Sequence, residues 1–164
     1  MADEHAFGAE LVTPEAPLFA GEATAVITRT SEGDLTILDG HTPLVGDVVA
    51  GIVRIERPDG STEAFVVHGG FLQVETAVGA ATGLVEGVSD SERSTRATLL
   101  AGVAEAVSAI DVARAQAARD AATAALAGLA SRDDEEGRME REQAERALTR
   151  AILRLEAQGA PVAQ

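Results

Sequence analysis

The chain has 164 residues, which favours one domain or two small ones, and its 13 basic side chains, all arginine, stand against 27 acidic ones for a formal net charge of −14. With no cysteine it has no disulfide framework, no thiolate metal site and no cysteine nucleophile. The acidic balance, with only 2% aromatic residues, argues against a general nucleic-acid surface and against adsorption on anionic lipid.

The chain opens Met1-Ala2-Asp3-Glu4-His5, acidic where a secretory leader is positive. No window holds about 18 consecutive apolar residues, so no membrane span is expected. The expectation is a soluble, intracellular chain without direct membrane insertion, whose membrane association goes through a protein partner.

From residue 9 to about 104 the sequence is rich in Val, Thr, Ile and Gly. Glu22 to Thr30 reads as a strand, Ser31-Glu32-Gly33-Asp34 as a turn, and Leu35 to Leu38 as a short strand stopped by Asp39-Gly40. Gly51 to Glu56 is another strand, and Arg57-Pro58-Asp59-Gly60 is a strong hairpin signal. Thr62 to His68 and Phe71 to Glu75 flank Gly69-Gly70. Many short strands with regular turns predict a sandwich or barrel. Thr76 to Thr95 reads as an elongated hairpin or exposed loop.

From Asp111 onward the pattern is helical. Asp111 to Ala130 holds ten alanines, which gives high helix propensity but little apolar area for docking. Ser108-x-x-Asp111 and Ser131-x-x-Asp134 fit capping boxes, and Asp111 can itself be the N-cap. A second helix is expected from about Asp134 to Ala157, with Leu148, Ile152 and Leu155 as its apolar stripe and Gly159 then Pro161 as its stop. The architecture expected is a β-domain over 1–106, with an extended hairpin or loop at about 76–96, followed by an antiparallel αα-hairpin over 107–164. The hairpin carries few large apolar residues, so it reads either as a weakly anchored, movable arm or as an accessory pair that stays docked.

Candidate chemistry is sparse. The carboxylates cluster at helix starts and turns, where they are solvated, and acid–base work needs one in a cleft with a displaced pKa. His41, between Gly40 and Pro43, is in a turn, and no G-x-S-x-G accompanies it. The histidines, His5, His41 and His68, are too few for a multi-histidine zinc site. Lysine is absent, and with it a P-loop. Arg138, Arg146, Arg150 and Arg154 fall in one i+4 row with Glu142. Folded against the first helix, Arg146 and Arg150 can meet Arg114 and present guanidinium forks to phosphate. The other reading is a solvated row with weak Glu142–Arg146 support.

The motif order resembles that of the epsilon subunits of bacterial F-type ATP synthases. Glu32-Gly33-x-x-x-Ile37-x-x-Gly40-His41-x-Pro43-Leu44 comes first, then Gly69-Gly70-Phe71-x-x-Val74, then Ile110-Asp111-x-x-Arg114-Ala115 at the start of the alanine-rich helices. The match covers about 9–75 and 97–157. Thr36 departs from it, replacing a glycine, and Ala121 stands where ATP-binding members have a basic residue, with Arg119 nearby.

The resemblance implies a β-sandwich of about ten strands followed by the two helices. It implies a non-catalytic rotor subunit of the central stalk that binds the gamma subunit and the c-subunit ring. Its C-terminal helices restrain ATP hydrolysis at the catalytic alpha/beta head. It implies a peripheral place on the cytoplasmic side of a bacterial membrane and no required cofactor. Glu32 and His41 match the turns at the ring contact. Glu105, Asp111, Arg114, Arg146 and Arg150 match positions that hold a regulatory ATP in some members. The alternatives are an ATP-sensing hairpin on a β-sandwich platform with no torque role, and an unrelated adhesion or carbohydrate module. The scarcity of aromatic rings counts against the last.

Overall fold

The computed structural model describes residues 6–77 and 94–159. The chain divides into two compact units, Met1–Ala106 and Val107–Gln164.

The first unit has strands β1 (Phe7–Val12), β2 (Pro17–Ala23), β3 (Ala25–Thr30), β4 (Gly33–Ile37), β5 (Leu44–Glu56), β6 (Thr62–Ala77), β7 (Ser94–Ala101) and β8 (Ala104–Ala106). They run in the order β2-β1-β7-β6-β5-β3-β4, with β8 also paired to β6. β6 pairs with β8 over Phe65–Val67 and with β7 over Gly70–Ala77, while the end of β5, Arg54–Glu56, pairs with β3. The two long strands therefore serve both layers of a β-sandwich. About ten strands were expected; among the described residues there are eight, and β5 and β6 each count once in either layer.

The interior is built by alternation. Phe7, Ala9 and Leu11 of β1 are buried, and they meet Val26, Ile37, Ile55, Phe65, Leu72 and Leu99 from both layers. Phe19 packs edge-on against Phe65 with centroids 6.4 Å apart, and the Arg57 guanidinium lies 5.8 Å from the Phe19 ring centroid.

Three sequence expectations change. Glu22 to Thr30 is two strands, because the chain crosses between layers at Thr24, whose N–H donates to Glu56 O at 2.8 Å. Gly69-Gly70 is not a turn between strands but lies inside β6, where Gly69 has φ +108° and the strand passes from one layer to the other. β5 starts at Leu44 rather than Gly51, since its first half alternates half-buried and exposed positions and carries a weak apolar signal. The turn at Arg57–Gly60 is present as expected: Gly60 has φ +79° and donates to Arg57 O at 2.9 Å. β6 and β7 stay paired out to Ala77 and Ser94; the rest of the 76–96 segment lies outside the described residues.

The second unit starts with a 3-10 turn at Val107–Ala109, then α1 (Val112–Gly128) and α2 (Glu135–Ala157). The caps are Asp111 and Asp134 themselves, each accepting from the N–H three residues on, at 3.0 Å and 2.8 Å; neither Ser108 nor Ser131 caps. The buried seam also differs from the expected stripe. Ala115, Ala122 and Leu129 on one helix meet Gly137, Ala144, Ala151 and Leu155 on the other. The seam repeats every seven residues and is mostly of small side chains, and Leu148 and Ile152 are only half-buried. Gln158, at the far end of α2, donates to Val107 O beside the start of α1, so the pair is antiparallel.

Candidate functional site

In the second unit the two helices frame a groove of about 570 Å³, with Ala118, Ala121 and Ala125 of α1 on one side and Glu140, Gln143 and Ala147 of α2 on the other. Arg114 precedes Ala118 by one helical turn, and Arg150 follows Ala147 by nearly one. Around α2 Gln143 is the edge of the groove lining, and helical geometry sets Arg150 about 20° and Arg146 about 60° beyond it. Arg114 and Arg150 are both exposed, and neither lines the groove itself. Arg146 is engaged by Glu142 on its own helix. Asp111 is committed to the α1 N-cap through the Arg114 N–H. Glu105 belongs to the first unit, on β8 opposite Val66. None of Asp111, Arg114, Arg146 and Arg150 lines the groove; Arg114 and Arg150 lie beyond its lining along their helices, toward the open end of the hairpin.

The alanine floor of this groove was not singled out in the sequence. Its signal is the seven-residue spacing of Ala115, Ala122 and Leu129 against Gly137, Ala144 and Ala151. Once that seam is fixed, the residues adjoining it define the groove. Opposite charge gathers at the turn end. Arg132 reaches Asp134, Glu136 and Glu140 at 3.3, 3.3 and 2.8 Å. The Gly137 N–H, ahead of Arg132, holds the Asp134 carboxyl below its ordinary range.

In the first unit Glu32 is exposed in the β3–β4 turn, where its N–H donates to Thr30 Oγ1 at 3.2 Å. It lines a groove of about 540 Å³ with Thr30, Asp34, Leu44 and Asp47. Asp34 is bound by Arg29 at 2.7 Å, and that hydrogen bond holds its carboxyl below the usual range. Asp47 accepts from Ser31 Oγ at 2.8 Å. His41 does not line this groove. Its Nδ1 is 2.8 Å from Thr42 O, so Nδ1 carries the proton and donates. Its turn is tied to the strand pair β6–β7: Thr95 Oγ1 donates to Asp39 at 2.9 Å and accepts from the Gly40 N–H at 2.7 Å, and Thr76 Oγ1 donates to His41 O at 3.3 Å.

A third feature is apolar. Register places Val12 beside Leu100 and Leu100 beside Phe71, and Leu100 and Phe71 are 50% and 62% exposed. No group of three or more potential metal ligands occurs among the described residues, and no helix among them is long and apolar enough to cross a membrane.

Residues 6–78 match the beta-sandwich domain of the ATP synthase delta/epsilon chain, and residues 108–159 match its long alpha-helix domain. An ATP synthase epsilon chain of Streptomyces avermitilis is 35% identical over 102 residues, 62% of this chain and 68% of that one. One from Brucella canis is 44% identical over 69 residues, 42% of this chain, which spans about half, 51%, of the relative's length. A chain in the cryo-EM structure of the Euglena gracilis mitochondrial ATP synthase, OSCP/F1/c-ring in rotational state 1, superposes with a TM-score of 0.65. That match has 24% identity and covers 92% of this chain and 79% of that one, a likeness of fold.

Proposed function

The chain belongs to the ATP synthase delta/epsilon family, and from that premise we propose that it is a non-catalytic rotor subunit of the central stalk, joining the gamma subunit to the c-subunit ring. The observation that carries the reading is the apolar row Val12–Leu100–Phe71, whose sheet face also leaves Val45 exposed beside it. Large side chains left in water on a stiff sandwich suit burial against another protein. Gamma is the partner assigned to this row. Glu32, in its acidic groove with Asp34 and Asp47, suits a basic or polar loop of the ring, and His41 offers a further hydrogen-bonding ring at an adjoining turn. Membrane association is peripheral, on the cytoplasmic side, and goes through these partners.

The helical unit acts as the regulatory arm that reaches the catalytic alpha/beta head. A second, compatible reading is favoured by the alanine-floored groove, with the exposed Arg114 and Arg150 a helical turn or less beyond its lining residues along the two helices. A flat apolar floor suits an adenine ring and the guanidinium forks suit phosphate oxygens, so ATP is the ligand assigned to this face. It is a regulatory ligand and no cofactor is required.

The test is co-purification with gamma of the native chain and of Phe71→Asp, Leu100→Asp. Native binding with at least a tenfold loss in the double variant supports the reading; equal binding, or none by either, overturns it. For the nucleotide, saturable backbone NMR shifts at Asp111, Arg114 and Arg150 that vanish in Arg114→Ala support the site. No shifts at millimolar ATP return the arginines to the solvated-row reading.

A further inference from the structure

The geometry points to a latch at the α1–α2 turn that makes the two helices move as one folded pair and opposes their straightening into a single extended arm. Three observations converge on it.

First, Arg141 of α2 reaches back across the turn. Its Nη2 donates to Leu129 O at 2.9 Å and to Arg132 O at 3.0 Å, and these contacts are half-buried. The last carbonyls of a helix lack intrahelical donors, and here a side chain of the next helix supplies one. Second, the turn lies so close over the start of α2 that a Cβ on Gly137 would stand 2.6 Å from Asp134 Oδ1 and 2.7 Å from Arg132 Cβ. Only a glycine admits that approach. Third, Arg132 in the turn is held by Asp134, Glu136 and Glu140, so the turn is tied to the first turn and a half of α2.

The rest of the hairpin supplies little in comparison. Its seam is mostly alanine and glycine, and each small side chain buries little apolar area. α1 is also rich in strong helix formers, as is α2 beyond Gly137. Without the latch, the intervening Ala130–Asp134 stretch is the main obstacle to one continuous helix. The inference concerns the helical unit alone and does not depend on the rotor reading.

The test uses the full chain, which has no native cysteine. Nitroxide labels are placed at Ala117→Cys and Thr149→Cys, both exposed, and dipolar EPR reads the distance between them. In the folded pair the helix axes are about 10 Å apart. In a continuous helix the labels would be about 48 Å apart, at 1.5 Å per residue.

The native chain should show the short distance, with the long one at no more than a few per cent. Arg141→Ala keeps helix propensity in α2 and should raise the long-distance population at least tenfold; Arg132→Ala should raise it less, and the double variant most. A single short distance in all three variants overturns the proposal, because the seam then suffices. A comparable long population in the native chain overturns it, because there is then no latch. Loss of helicity by circular dichroism in Arg141→Ala also overturns it, because Arg141 then serves helix formation and not the turn. Gamma takes no part in the measurement, so its outcome is separate from the test of the rotor reading.

Discussion

A Cβ on Gly70 would stand 2.1 Å from the carbonyl oxygen of Leu100 on the neighbouring strand. The close approach occurs where β6 passes from one layer to the other, beside Gly69 at φ +108°. The sandwich turns its long strand on these two residues, and neither tolerates a side chain at no cost.

Gly70→Ala should therefore destabilise the first unit by about 3 kcal/mol, at the upper end of the usual cost of overpacking. Gly102→Ala, where nothing lies within 4 Å of the added carbon, should stay within about 0.5 kcal/mol. Guanidinium unfolding curves of the two variants check this, and equal midpoints would refute it.

Leu72 and Phe71 are adjacent in sequence and opposite in environment, at 0% and 62% exposed. Leu72→Ala should cost about 2–5 kcal/mol in the same unfolding assay. Phe71→Ala should cost under about 0.5 kcal/mol while weakening the complex with gamma. If Phe71→Ala destabilises as much as Leu72→Ala, the apolar row is part of the core and not a docking face.

Asp111→Ala removes the α1 N-cap and should lower the stability of the helical unit by about 1 kcal/mol, while Asp111→Asn should keep most of it. Thermal melts followed at 222 nm separate the two. Retention of ATP-induced shifts in Asp111→Asn would assign this residue to capping, and their loss to ligand contact.

Asp134 has a carboxyl held below its ordinary range, first by the Gly137 N–H and then by Arg132. A group whose folded pKa is depressed contributes stability that is present above its unfolded value, about 4, and is lost as pH falls through the folded value. The melting temperature of the helical unit should thus drop between neutral pH and pH 2.5, and the drop should shrink in Asp134→Asn. A drop of the same size in the variant would move the effect to other carboxylates.

Much of the architecture is legible along the chain. Pro58-Asp59-Gly60 forces the β5–β6 hairpin, and Asp111 and Asp134 mark both helix starts because short carboxylates satisfy orphan N–H groups. The shift from Val, Thr and Gly to alanine near 105 separates strand chemistry from helix chemistry. The candidate site is less legible. A row of arginines at i+4 spacing declares a helix face but not which member meets a second helix, since that depends on a seam of small side chains with almost no hydrophobic signal.

The sequence by itself determined the local conformations, the acidic surface and the order of motifs, because backbone propensity, turn geometry and net charge are set by neighbours a few residues apart. Tertiary structure decided what depends on distant partners. Gly69 and Gly70 bend a strand instead of ending it because β7 passes against them, with Leu100 O in the space a Cβ at Gly70 would need. The alanine groove exists because the Ala115–Ala151 seam fixes the rotation of both helices. Arg141 closes the turn because folding brings the end of one helix within hydrogen-bond reach of the next. Each of these is a relation across space, completed only when residues distant along the chain meet.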